Sequence, residues 1–265
     1  MNKFYVTLGL VSRYHSISEK DQLEFNSYAH FVSSLYNSFL KEVEVKNLGR
    51  VSIQLTETKK TIHIGKPSYG VSVVTKYYNV SPFFKESDEK VRKVMLLDLI
   101  HQILLEVSNA LKVDESLLQH AYDMSISKNF SYEYDLINHD LASMVDSLLI
   151  KAHQSIEKIE VRLSVINNAG QIKSNYLIMS LFPVEEYAKK LFKKCREVGS
   201  QLTLIDDSGE IEFALDIENQ AADIMLKPKR RSRQELEDDL AIMTYGTTKE
   251  EIEAIQQRFL QSLNS

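Results

Sequence analysis

Cysteine is nearly missing from this chain. Cys195 is the single one in 265 residues. A disulfide framework within the chain is therefore excluded, and the composition favours a reducing compartment. Long apolar runs are missing too. No uninterrupted stretch reaches the about 18 apolar residues that would mark a membrane-spanning helix. The opening residues, MNKFYVTLGLVSRYHS, carry one lysine and a short apolar run, without the longer apolar region and small-residue site of a signal peptide. These absences predict a cytoplasmic, soluble protein without membrane association. Strong charge of one sign is absent as well. Formal net charge is −5, which gives no global attraction to nucleic acid or anionic lipid.

The local signatures of catalysis are also lacking. The chain has neither a glycine-rich dinucleotide fingerprint nor a phosphate loop. The segment GKPSYG, Gly65 to Gly70, lies between strand patterns and reads as a plain turn. No G-x-S-x-G elbow is present, and no H-E-x-x-H. In LIDDSGEIEF a leucine, Leu204, takes the first ligand position of a calcium loop, so Asp206 and Asp207 read as hairpin-turn residues. His139-Asp140 matches two adjacent ligands of HD-type phosphohydrolases. That fold is all-helical, and the strand pattern after Asp140 excludes it. No cofactor and no metal site are expected.

What is present is an ordinary globular composition, 43% hydrophobic and 26% charged, sufficient to bury a core. Its patterning predicts an α+β protein of antiparallel hairpins and packed helices. Two consecutive α/β units would be followed by a C-terminal helical hairpin. Residues 1–135 read as a strand over Phe4–Leu10, a long helix from an N-cap at Ser18 to about Lys46, three strands, a core helix and a short helix. The strands cover Val51–Leu55, Thr61–Ile64 and Val71–Val80, the last ended by Pro82. The core helix runs from a Ser87 cap to about Val113 and is apolar around most of its circumference. Asp114 caps the short helix.

Residues 136–226 read as a helix through MVDSLLIKAHQ, then β-β-α-β-β. Pro183 opens and Gly199 closes the helix of that series, and a DDSG turn joins its last two strands. Cys195 would border the solvated face of that helix.

Residues 227–265 hold the least ordinary stretch. Lys227, Lys229, Arg230, Arg231 and Arg233 form a basic hinge interrupted by Pro228. Ser232 with Glu235 makes a capping box for a helix of about 234–243 carrying Leu236, Leu240 and Met243. Gly246 breaks it. Thr248 with Glu251 caps a last helix with Ile252, Ile255, Phe259 and Leu263 at spacings of three and four. Two helices around a glycine turn resemble a nucleic-acid-binding hairpin, but Glu235, Glu237, Asp238, Asp239, Glu250, Glu251 and Glu253 would repel phosphate. A solvated linker or an internal charge match suits the hinge better.

The leading expectation is a non-enzymatic protein-binding protein, an inhibitor, immunity-type or assembly factor. It would meet another protein, or a second copy, through Ile252, Ile255, Phe259 and Leu263. One alternative is an enzyme with dispersed site residues. Asp98 and His101 are three apart on the core helix, and they would serve it as orienting carboxylate and base. The other alternative is a nucleic-acid-associated protein that uses Lys227 to Arg233.

Overall fold

The computed structural model describes residues 4–11, 17–40, 45–57, 62–140, 147–167, 169–198, 201–216 and 221–244. It divides into two compact units, Met1–Ser131 and Tyr132–Ser265. The chain is α+β, with helices beside mostly antiparallel sheets.

Unit 1 contains, in order, β1 (Tyr5–Leu10), α1 (Glu19–Ser38), β2 (Arg50–Thr56), β3 (His63–Ile64), β4 (Val71–Tyr77), α2 (Ser81–Lys85), α3 (Glu89–Leu111) and α4 (Glu115–Ser127). Its sheet has the order β1-β2-β4-β3. Alternation decides which residues are buried: Val6, Leu8 and Leu10 on β1, and Val51, Ile53 and Leu55 on β2. It does not decide strand direction. β2 and β3 do not form a hairpin. β2 runs parallel to β1 and to β4, and only β3 is antiparallel to its neighbour.

The free edge of β1 is sealed by α1. The Asn37 side chain accepts from Val6 N at 2.8 Å and donates to Val6 O at 2.7 Å. Asn26 accepts from Leu10 N at 3.0 Å, and Gln22 donates to Val11 O at 3.2 Å. These side chains stand in for a neighbouring strand and close an edge that would otherwise invite pairing.

Helix limits differ from the sequence expectation. α1 is capped by Ser18 but ends at Ser38, where the last turn tightens and the Phe39 N–H reaches the Tyr36 and Asn37 carbonyls. Residues 41–44 of the expected helix lie outside the described residues. Pro82 does not merely end a strand; it opens α2. The cap of α3 is Asp88 rather than Ser87, because the Asp88 carboxylate accepts from both Lys90 N and Val91 N. α3 is long and apolar enough to cross a membrane by length and composition alone. Here it serves as the core, burying Leu96, Leu97, Ile100, Ile103, Leu104 and Val107.

Unit 2 begins with the antiparallel meander β5 (Tyr132–Asp140), β6 (Ser147–Gln154), β7 (Ile159–Ile166) and β8 (Ile172–Leu181). After α5 (Glu185–Leu191) comes a second meander, β9 (Lys194–Val198), β10 (Gln201–Ile205), β11 (Ile211–Asp216) and β12 (Ala221–Leu226). α6 (Arg233–Met243) follows.

Two expectations are corrected here. The helix expected through MVDSLLIKAHQ is replaced over Ser147–Gln154 by β6. Burial there has period two, with Leu148, Ile150, Ala152 and Gln154 inward, and both neighbours pair with it. The helix expected through KKCREV stops at Leu191. Residues 194–198 instead pair with β10, which places Cys195 opposite Leu204 on a strand. Ladder pairing overrides helix propensity in both segments. β12 adds a strand that the β-β-α-β-β reading lacked. The last helix, with Ile252, Ile255, Phe259 and Leu263, lies outside the described residues.

Candidate functional site

Asp98 and His101 share α3 but are not bonded to each other. Asp98 accepts from the Tyr122 hydroxyl on α4 at 2.7 Å. His101 is buried at 7% exposure and stacks on the Tyr122 ring at 4.6 Å. Its Nε2 lies 3.3 Å from Gln119 Oε1, and its Nδ1 lies 3.3 Å from the Tyr36 hydroxyl of α1. Burial holds the imidazole below its ordinary pKa, against the pull of Gln119, Asp123 and Asp98. The bond to Asp98 pushes the Tyr122 phenol up to about 12. A general base must have a ring nitrogen within reach of the proton it takes, and both ring nitrogens of His101 lie against neighbouring side chains. This cluster spends its polar groups joining α3 to α4 and α1.

Cys195 is half-buried, and burial pushes its thiol up to about 11, with the Glu197 carboxylate adding to the shift. The flanking Lys194 and Arg196 therefore do not yield a thiolate nucleophile at neutral pH. Among the described residues no group of three His, Cys, Asp or Glu side chains is placed to hold a metal ion.

The basic segment is built into unit 2 from the β10–β11 turn upward. Asp206 Oδ1 accepts from Glu210 N at 2.8 Å and Ile211 N at 3.0 Å, and Gly209 takes the left-handed conformation that the reversal requires, φ +70°. The turn presents Glu210, which is only 2% exposed. Glu210 Oε1 accepts from the backbone N–H of Lys229 at 2.9 Å, Arg230 at 2.8 Å and Arg231 at 3.2 Å. Its Oε2 accepts from Arg231 Nε at 2.8 Å. Converging amides of this kind form an anion nest, and here the anion is the chain's own carboxylate. The Arg230 and Lys229 amides, then the Arg231 guanidinium, hold the Glu210 carboxyl far below the usual range.

Arg231 also pairs with Asp239 at 2.7 Å and approaches Asp206 at 3.6 Å. Lys227 meets Glu212 at 2.7 Å, with Arg196 at 3.7 Å on the same carboxylate. Arg233 meets Glu237 at 2.9 Å. Lys227, Arg231 and Arg233 thus have acidic partners inside unit 2, while Lys229 and Arg230 lend backbone amides to Glu210. Ser232 and Glu235 form the expected capping box.

So fastened, α6 buries Leu236, Leu240 and Met243. Its last turn is tied to the end of β8 by Phe182 N–H donating to Met243 O at 2.8 Å. Beside it opens a cleft of about 270 Å³. Tyr187, Lys190 and Leu191 of α5 form one wall, and Asp239, Ile242 and Met243 of α6 form another. Asp206, Asp207, Ser208, Ile211 and Arg231 complete it. The cleft is apolar at Leu191, Ile211, Ile242 and Met243, and its polar residues include ion-paired Arg231 and Asp239. Ile242 is 63% exposed and Phe182 43% exposed.

Of the residues that organise this region, Asp206 reads from the sequence as a hairpin-turn residue, whereas Glu210 and Glu212 belong to no motif. The available signal was charge complementarity between two short runs, DDSGEIE and KPKRR, that a single strand pair separates. No family model matches the chain, and no curated protein or solved structure is found to be similar to it.

Proposed function

We propose that the protein is a non-enzymatic, cytosolic binding protein, acting as an inhibitor, immunity-type or assembly factor. It would present the α6 end of unit 2 to another protein. The observation that carries this reading is the exposure of Ile242, 63%, on a cleft lined by apolar side chains together with the ion-paired Arg231 and Asp239. An exposed large apolar side chain among polar neighbours is a common element of a protein contact. The charges around the cleft favour register and partner choice over reaction chemistry. Arg231 is held by Glu210 and Asp239 rather than offered to a substrate. The same engagement argues against the basic segment as a general phosphate-binding arm.

The test is affinity capture from native extract with wild-type chain and with Ile242→Asp, a substitution at an exposed position. One stoichiometric protein should be recovered with wild type and lost with the variant. Equal recovery by both would remove the cleft from the function. Tight, salt-sensitive retention on duplex DNA by both would replace the reading with a nucleic-acid one.

A further inference from the structure

The two faces of the unit 1 sheet are not alike. Val6 and Leu8 of β1, Val51 and Ile53 of β2, and Val74 of β4 point to one face and are buried. On the other face Tyr5 and Arg50 stand side by side at one end. Gln54, Thr75 and His63 form a row further along, and Tyr77 ends the face. Tyr5 is 41% and Tyr77 42% exposed, and Gln54 and His63 are exposed as well. β1, β2 and β4 are parallel, and parallel sheets are ordinarily covered on both faces. An open face on such a sheet is a surface available for binding.

Its charge has one sign. The chain carries a net charge of −5, yet residues 45–57 and 62–85 hold Lys46, Arg50, Lys66, Lys76 and Lys85 against Glu57 alone. Among the described residues no Asp or Glu stands on the open face. Lys76 is engaged by Glu106 of α3. Lys46, Arg50 and Lys66 make no ion pair among the described residues. Arg50 instead lies over the Tyr5 ring, 5.9 Å from its centroid, and its Nε is buried without a hydrogen-bond partner.

The Arg50 end is also rigidly built. The Gly49 and Arg50 N–H groups both donate to Gly70 O, at 2.8 and 2.9 Å, and Ser68 and Val71 exchange two bonds of 2.9 Å. Between them Tyr69 is fully exposed and takes the left-handed conformation, φ +50°. A bulky residue held in that region is strained, and such strain persists where the surrounding structure imposes it. Lys46 and Lys66 belong to the segments that lead into this end.

The face therefore offers aromatic rings, hydrogen-bonding side chains and unpaired cations without a carboxylate. Tyr5 lies level with Val71, six residues before Tyr77, so the two ring positions are separated by about 20 Å along the strands. A compact ligand would meet one of them. A flexible polyanion with flat rings meets both. We propose that the open face of the unit 1 sheet binds single-stranded nucleic acid, with bases stacked on Tyr5 and Tyr77 and phosphates drawn to Lys46, Arg50 and Lys66. This is a second binding function, separate from the protein-docking reading of unit 2.

The test is fluorescence anisotropy of full-length protein with labelled oligo(dT) of about 12 nucleotides, within the range of single-strand sites. The strand should bind at low salt, and a duplex of the same length should bind at least about tenfold more weakly. With three phosphates neutralised, log affinity should fall with log salt at a slope of about −2, and Arg50→Gln should flatten that slope by about 0.7. Tyr5→Ala and Tyr77→Ala should each weaken binding about tenfold or more, while Tyr77→Phe, which keeps the ring, should not. Lys229→Ala/Arg233→Ala and Ile242→Asp should leave it unchanged. No binding of the strand, or binding that ignores both tyrosine substitutions, overturns the proposal. Loss of binding with Lys229→Ala/Arg233→Ala alone would move the contact to the basic segment and overturn it too. Poly-L-glutamate carries the charge without the rings, and displacement of the strand by it at equal charge concentration would overturn nucleic acid in favour of an acidic polypeptide. Partner capture that still depends on Ile242 would leave the docking reading standing in each of these cases.

Discussion

Among the described residues each unit holds a dense polar cluster, His101 at the centre of one and Glu210 at the centre of the other, and the two are built on opposite principles. In unit 1, His101, Tyr36, Tyr122, Gln119 and Asp98 are joined by hydrogen bonds and ring stacking. The histidine at its centre is driven toward the neutral form by burial. In unit 2, Glu210 and Arg231 are a fixed ion pair whose charges are satisfied by backbone amides and further carboxylates. The first cluster joins helices that already share an apolar core. The second fastens a helix that buries only Leu236, Leu240 and Met243. A helix with so narrow an apolar face needs an added attachment. The same narrowness leaves Ile242 exposed.

The largest effect should come from placing a charge where unit 1 tolerates none. Ile103→Asp sets an unpaired carboxylate among fully buried residues two positions from His101, at a cost of roughly 3 kcal/mol or more. Near-wild-type thermal stability for that variant would show that unit 1 does not exclude charge, and the contrast between the units would collapse.

Arg231→Leu should cost less, about 1–2 kcal/mol, because solvent reaches one side of the guanidinium while Glu210 keeps its amide bonds. The loss should appear as fraying of α6 by circular dichroism, with unit 1 unaffected. No loss at all would make the ion pair ornamental.

Acid should separate the clusters by pH. His101 has its folded pKa below the ordinary imidazole value of 6.5, so its contribution is fully present above that pH and is lost as pH falls below it. Glu210 has its folded pKa below the ordinary carboxyl value of 4.5. Its contribution is fully present above that pH and is lost only as pH falls through the carboxylate range toward the folded value. Stability measured against pH should therefore fall in two windows. His101→Gln should abolish only the upper step. A single step, or an upper step that survives the substitution, would contradict the assignment.

The smallest effects belong to exposed or inert positions. Arg233→Ala removes a solvent-exposed pair with Glu237 and should cost no more than about 0.5 kcal/mol. Cys195, with its thiol pushed up to about 11, should react with iodoacetamide at neutral pH more slowly than an unstructured thiol. Rapid labelling would place it elsewhere than on β9.

Much of both units is legible in the sequence where the signal is local. The Ser18 cap, the core helix α3, the Asp114 cap of α4, the DDSG hairpin and the Ser232 capping box each depend on residues within one turn of one another. What escaped depends on partners far along the chain. β2 runs parallel to β4 although its own alternation is indifferent to direction. Leu148, Ile150 and Ala152 alternate through residues with good helix propensity, and only pairing with β5 and β7 selects the strand. The candidate site divides the same way. The basic run is visible at once, and an internal charge match was one of its two expected fates. Its organiser, Glu210, is a buried turn residue about which local pattern says nothing.

The central claim is that the segment Lys227–Arg233 is an internal fastening rather than a solvated linker, and amide hydrogen exchange tests it directly. The N–H groups of Lys229, Arg230 and Arg231 all point at the Glu210 carboxylate. In the wild-type chain they should be protected. In Glu210→Ala they should exchange at rates near those of an open chain, while amides of α3 keep their protection. Fast exchange of these amides in the wild-type chain, unchanged by Glu210→Ala, would contradict the account.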